Sequence, residues 1–99
     1  KHNINVAMVN SQIKIIRKKL DNLDLKLLLL IKKRTILVNQ VVKFKKKKSE
    51  VVDKIRINYI LKKIKKKSIQ LKIDPAITSG IWKGMINSFI EYEYKKFKK

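Results

Sequence analysis

No cysteine occurs in this chain of 99 residues, which removes disulfides and thiolate metal sites. Histidine is almost as scarce: His2, close to one end, is the only one, so no imidazole-based site can be assembled. Neither a metal nor a cofactor is expected. The longest apolar run, Leu27 to Ile31, falls far below the roughly 20 residues that a membrane span needs. No secretory signal pattern opens the chain, and the expectation is a cytoplasmic protein without a membrane role. The chain begins at Lys1 rather than at methionine, so residues upstream are expected to be missing. Two glycines and one proline leave few natural breaks in long helices.

Acidic residues are few as well, seven against 27 lysines and arginines, for a formal charge of +20. Such a charge attracts phosphates, and a basic helical nucleic-acid-binding protein without catalysis is one reading. The kind of base argues against nucleic acid as the partner. All but three of the basic residues are lysine, in a chain also crowded with isoleucine and asparagine, as AT-rich codons produce by drift. Arg17, Arg34 and Arg56 stand out from that background. Lysine cannot reproduce the planar fork that grips a carboxylate through two hydrogen bonds, so these three positions are where that geometry matters.

The strongest periodic signal runs from Ser11 to about Lys46. Ile13, Ile16, Leu20, Leu23, Leu27, Leu30, Leu37, Val41 and Phe44 recur at alternating spacings of three and four, the seam of a long helix. Arg34 occupies the one seam position without an apolar residue. A guanidinium there loses hydration that only an anion or a set of acceptors replaces. A helix of more than 30 residues in so short a chain has too little surface of its own to cover the seam, which points to a second copy.

Residues 1–10 show no sustained period and read as a flexible lead-in, with Asn10 or Ser11 capping the first helix of a domain over 11–99. Asp21 is spaced to pair with Lys18. Lys45 to Glu50 reads as the helix end and a solvated turn. Asp53 caps a second helix that carries Ile55, Ile60, Leu61 and Ile64 inward and ends before Ser68, with Arg56 in its first turn. Asp74-Pro75, an N-cap acid before a proline at the first helical position, opens a third helix. Ile77, Ile81, Met85, Phe89 and Tyr92 form its stripe, and Gly80 and Gly84 leave room for a helix to pack closely. Glu93 falls on that apolar face; its place near the helix end favours partial exposure over burial beside a cation. The fold class is therefore all-α, three helices per chain, in an intertwined homodimeric bundle.

Spacing brings some of these residues together. Arg34 and Lys45 project from nearly the same face about 16 Å apart along the axis, close enough for two long side chains to hold one dianion. Arg17 lies some 25 Å from Arg34 on the same rod, beyond the reach of a small ligand. If the long helix pairs antiparallel with its copy, Arg17 of one chain approaches the Arg34 to Lys45 segment of the other. Such a pocket, with Asp53 and Glu93 nearby, suits a small molecule bearing two carboxylates and a hydroxyl or ether.

Over roughly Ile13 to Phe97 the chain resembles the all-helical chorismate mutases. The resemblance is carried by Ile-Arg-Lys-Lys-Leu-Asp-Asn-Leu-Asp at 16–24, Lys-Arg at 33–34, Phe-Lys at 44–45 and Asp-Lys-Ile-Arg at 53–56. It implies that Arg17 of the neighbouring chain and Arg34 bind substrate carboxylates. Lys45 would contact a carboxylate and the ether oxygen, Asp53 the ring hydroxyl, and Arg56 would complete the cationic wall. Glu93 stands where the family has glutamine or glutamate donating to the ether oxygen. The implied activity is the Claisen rearrangement of chorismate to prephenate, in phenylalanine and tyrosine biosynthesis, with shared sites in a homodimer and no cofactor. Two positions depart from the mutase pattern: Ile57 replaces a glutamate, and Phe89 a small polar residue. Both, with the short Lys45 to Arg56 loop, look more like the isochorismate pyruvate lyases, the salicylate-forming branch of the family.

Overall fold

The computed structural model describes residues 5–97, which form three helices: α1 (Val6–Phe44), α2 (Lys54–Gln70) and α3 (Pro75–Lys96), with a single 3₁₀ turn at Lys48–Glu50. Among the described residues there is no strand, and the fold is all-α. No helix among them is long and apolar enough to cross a membrane.

Helix α1 starts at Val6, ahead of the expected start at Ser11. Asn5 provides the cap, its Oδ1 accepting from the Ala7 amide at 2.9 Å. The physical reason lies in Val6 and Val9, which continue the three-and-four spacing of Ile13 and Ile16 back through the polar Asn10, Ser11 and Gln12. His2 and the rest of residues 1–4 lie outside the described residues, as do Lys98 and Lys99.

The chain divides into two compact units, Lys1–Leu37 and Val38–Lys99. In the first, the apolar seam of α1 is exposed: Leu20, Leu23, Leu27 and Leu30 each keep more than half of their surface open. Asp21 and Lys18 share a turn there without forming an ion pair. The second unit holds the core, with Val42, Val51 and Ile86 buried.

Within the second unit α2 packs on α3. Asp53 caps α2 by accepting from the Arg56 amide at 3.0 Å, and Asp74 caps α3 by accepting from the Ala76 amide at 2.9 Å. Both acids behave as their sequence positions predict. The end of α2 does not: it runs through Ser68 to Gln70. Ser68 is buried, donates to the Ile64 carbonyl at 2.6 Å and shares a 2.7 Å hydrogen bond with the Thr78 hydroxyl, tying α2 to α3. The helix closes at Lys72, held at φ 60°, while the Ile73 amide reaches back to the Ser68 carbonyl at 2.8 Å and the Lys72 amide to Ile69 at 3.1 Å. This is the Schellman closure, made here without its usual glycine. Gly80 and Gly84 meet nothing within 4 Å where a Cβ would stand, so among the described residues nothing in the second unit uses the close approach they permit.

Candidate functional site

Helix α1 ends at Phe44, and Lys45 follows immediately on a segment held at several points. The Lys45 amide donates to the Val42 carbonyl at 3.1 Å. Glu50 then accepts from the amides of Lys46 and Lys47, both at 2.7 Å, which satisfies two donors left open by the turn. Those two hydrogen bonds, Lys47 first and Lys46 second, hold the Glu50 carboxyl below its ordinary range. Lys48 sits over the Tyr94 ring at 5.5 Å, and Val51 is buried. The run from Lys46 to Glu50 is exposed, as expected of a solvated turn, and these contacts hold its backbone in place.

Helix α3 is fixed against residues 38–44 by the Tyr92 hydroxyl, which donates to Asn39 Oδ1 at 2.9 Å. Phe89 meets the Tyr92 ring edge-on, with centroids 6.3 Å apart. Between Tyr92 and Tyr94 lies Glu93, and it is buried. This corrects the expectation of partial exposure near the helix end, because the charge has a partner: Lys45 Nζ donates to Glu93 Oε1 at 2.9 Å, with both side chains mostly shielded. A carboxylate enters such a place only when paired.

Lys45 also lines a shallow cavity of about 500 Å³ with Glu50, Val52, Asp53, Lys54 and Ile55. Asp53 is exposed; one of its oxygens caps α2, and the cap and a ligand-binding role are compatible because the carboxylate has further lone pairs. Arg56 is exposed in the first turn, with its guanidinium 5.4 Å from the centre of the Tyr59 ring. Ile57, where a glutamate is the mutase pattern, is half-buried.

Arg17 and Arg34 belong to the first unit. Arg17 is exposed. Arg34 is half-buried, and its Nη1 is closed off from solvent. Of the six expected site residues, the second unit therefore joins Lys45 to Glu93 directly and puts Lys45 and Asp53 on one cavity wall. Four supporting residues were not foreseen as such: Asn39, Glu50, Tyr92 and Tyr94. Glu50 alone left a sequence signal, an acid three residues after the turn's start as in a capping box. Among the described residues no group of three His, Cys, Asp or Glu side chains could hold a metal ion.

The described residues thus form three helices and present a shielded lysine–glutamate pair whose lysine shares a cavity with Asp53 and Lys54. A family model, chorismate mutase type II, matches residues 16–94, a span that contains all six residues. The chain belongs to that family. Comparison with curated proteins and with solved structures gives no significant match.

Proposed function

We propose that the chain is a chorismate mutase, which rearranges chorismate to prephenate in the cytoplasmic synthesis of phenylalanine and tyrosine. The observation that carries this reading is the Lys45–Glu93 pair, two groups of the type the reaction needs, held at 2.9 Å in a shielded place. In the rearrangement the C–O bond of the enolpyruvyl ether breaks as a C–C bond forms in the same molecule. Negative charge builds on the ether oxygen, and nothing is added or lost. Catalysis consists of restraining a flexible dianion in its reactive diaxial shape and fixing donors around that oxygen. Arg34 and a second copy's Arg17 would bind the carboxylates, with Arg56 completing the wall. Asp53 would hold the ring hydroxyl. Lys45 would donate to a carboxylate and to the ether oxygen, and Glu93 to the ether oxygen as the protonated acid, since a carboxylate cannot donate.

The site as proposed needs a second copy. The exposed leucines of α1 support it, because each leucine moved from water into a helix interface gains roughly 1.5–3 kcal/mol. The intertwined homodimer should sediment as a dimer at micromolar concentration, and a folded monomer there would remove the shared site.

A second reading, isochorismate pyruvate lyase, is favoured by Ile57 and by Phe89, both apolar and half-buried where the mutase pattern is polar. Separate incubations with chorismate and isochorismate distinguish the two. The mutase gives prephenate from the first; the lyase gives salicylate and pyruvate from the second.

A further inference from the structure

Four of the six lysines of α2 lie along one side of the helix, and Lys54 and Lys65 lie on the opposite side. At about 100° per residue, Arg56, Tyr59, Lys63, Lys66, Lys67 and Gln70 fall within one sector roughly 100° wide, with Lys62 about 40° beyond it, and all are exposed. Lys62, Lys63, Lys66 and Lys67 line one shallow cavity of about 390 Å³ with Tyr59 and Gln70. Helix α2 carries seven basic residues and no acid, and no carboxylate among the described residues pairs with any of them. Lys62 with Lys66 and Lys63 with Lys67 are like charges one turn apart, which destabilises the helix unless an anion lies over them.

Codon drift toward lysine acts on the whole chain, and α3 is an internal control. Its 22 residues include three lysines, all exposed, and its other exposed positions include Ile77, Gly80, Ile81, Gly84, Asn87 and Ser88. The lysines of α2 are therefore concentrated beyond what drift supplies. In their midst Tyr59 is about half exposed, at 53%, with the Arg56 guanidinium 5.4 Å and Lys63 Nζ 5.7 Å from its ring centre. An accessible aromatic ring among cations is how proteins hold single strands, the cations on phosphates and the ring against a base. An anionic membrane would call for several large aliphatic side chains within the basic face, and around the helix from Lys62 to Lys67 this face carries Ile55 alone, 85% exposed.

We propose that the exposed face of α2 binds single-stranded nucleic acid, with Lys62, Lys63, Lys66 and Lys67 on the phosphodiester backbone and Tyr59 stacked on a base. The surface is independent of the substrate reading except at Arg56. The test is fluorescence anisotropy of the full chain with a labelled single-stranded oligonucleotide across a salt series. Replacing all four lysines by Gln should weaken binding at least tenfold and reduce the slope of log K against log salt by about 3. The charge-matched variant K18Q/K19Q/K26Q/K32Q on α1 should keep most of the affinity. Tyr59→Ser should cost roughly fivefold or more at an unchanged slope. Circular dichroism checks that each variant is folded, and turnover of chorismate by the α2 lysine variant should match the parent, which separates this result from the catalytic reading. Equal losses in the two lysine variants, or stronger binding to phosphatidylserine vesicles than to the oligonucleotide, would overturn the proposal.

Discussion

Lys45 Nζ donates to Glu93 Oε1 at 2.9 Å, joining the first residue after α1 to the last turns of α3 across 48 positions of chain. The pair explains how a carboxyl can be buried on the apolar face of α3. It also sets a condition on function, since a Glu93 oxygen that accepts from Lys45 is not donating to a substrate. Turnover under the proposed mechanism requires a proton on that carboxyl while Lys45 turns to the ligand.

The sign of the pH dependence follows from that requirement. Loss of the Glu93 proton removes the donor, so kcat/KM should fall as pH rises. Glu93→Gln donates at every pH and should flatten the profile while retaining activity near neutrality. Profiles of kcat/KM for both proteins check this. A Gln variant that keeps the same acidic preference would show that Glu93 is not the donor.

Arg34 is the arginine of α1 whose Nη1 is shielded from solvent. Arg34→Lys keeps the charge and loses the two-pronged fork, so kcat/KM should drop roughly 10- to 100-fold, as for a lost hydrogen bond to a charged group worth about 1.5–3 kcal/mol. Lys47→Ala, in the exposed lysine run, should stay within about twofold. Kinetics on the two variants gives the comparison, and equal effects would remove Arg34 from the site.

Lys72 adopts a left-handed conformation at φ 60° where a Schellman closure ordinarily has glycine. Lys72→Gly should therefore stabilise the protein by about 0.5–1 kcal/mol and raise Tm by a few degrees. Thermal unfolding measures it; a lower Tm would mean that the Lys72 side chain contributes more than the backbone strain costs.

Glu50 has a depressed pKa because the Lys47 and Lys46 amides donate to it. A group with its folded value lowered contributes stability that is present above the unfolded value and disappears as pH falls through the folded one. Exchange of the Lys46 and Lys47 amides with solvent, followed by NMR, should be slowed at neutral pH and lose protection in acid. Glu50→Gln should weaken the neutral-pH protection and make it less dependent on pH. Protection that persists unchanged in acid would mean that the carboxylate does not hold this loop.

The caps at Asp53 and Asp74 were legible in the sequence because a cap is local: a short acid followed within three residues by the amide it serves. The seam of α1 was legible because its period is sustained over many turns. The start of that helix was not, since Asn10, Ser11 and Gln12 imitate a boundary that Val6 and Val9 override. The end of α2 was hidden for a similar reason, its closing residue being Lys72 rather than glycine. Glu93 posed a different problem. Its burial depends on a lysine 48 residues away, and no local pattern carries that information. The anchoring of Lys48 on Tyr94 is hidden in the same way.

The purified protein and its Lys45→Ala variant, each shown to be folded, should be incubated with chorismate and the time course of the reaction followed. Chorismate should disappear as prephenate appears in equal amount with no pyruvate released, and Lys45→Ala should slow this roughly 100- to 1,000-fold, as expected for removing a donor to the charged transition-state oxygen. A folded wild-type protein that leaves chorismate unchanged, or a Lys45→Ala variant as fast as the parent, would contradict the mutase reading.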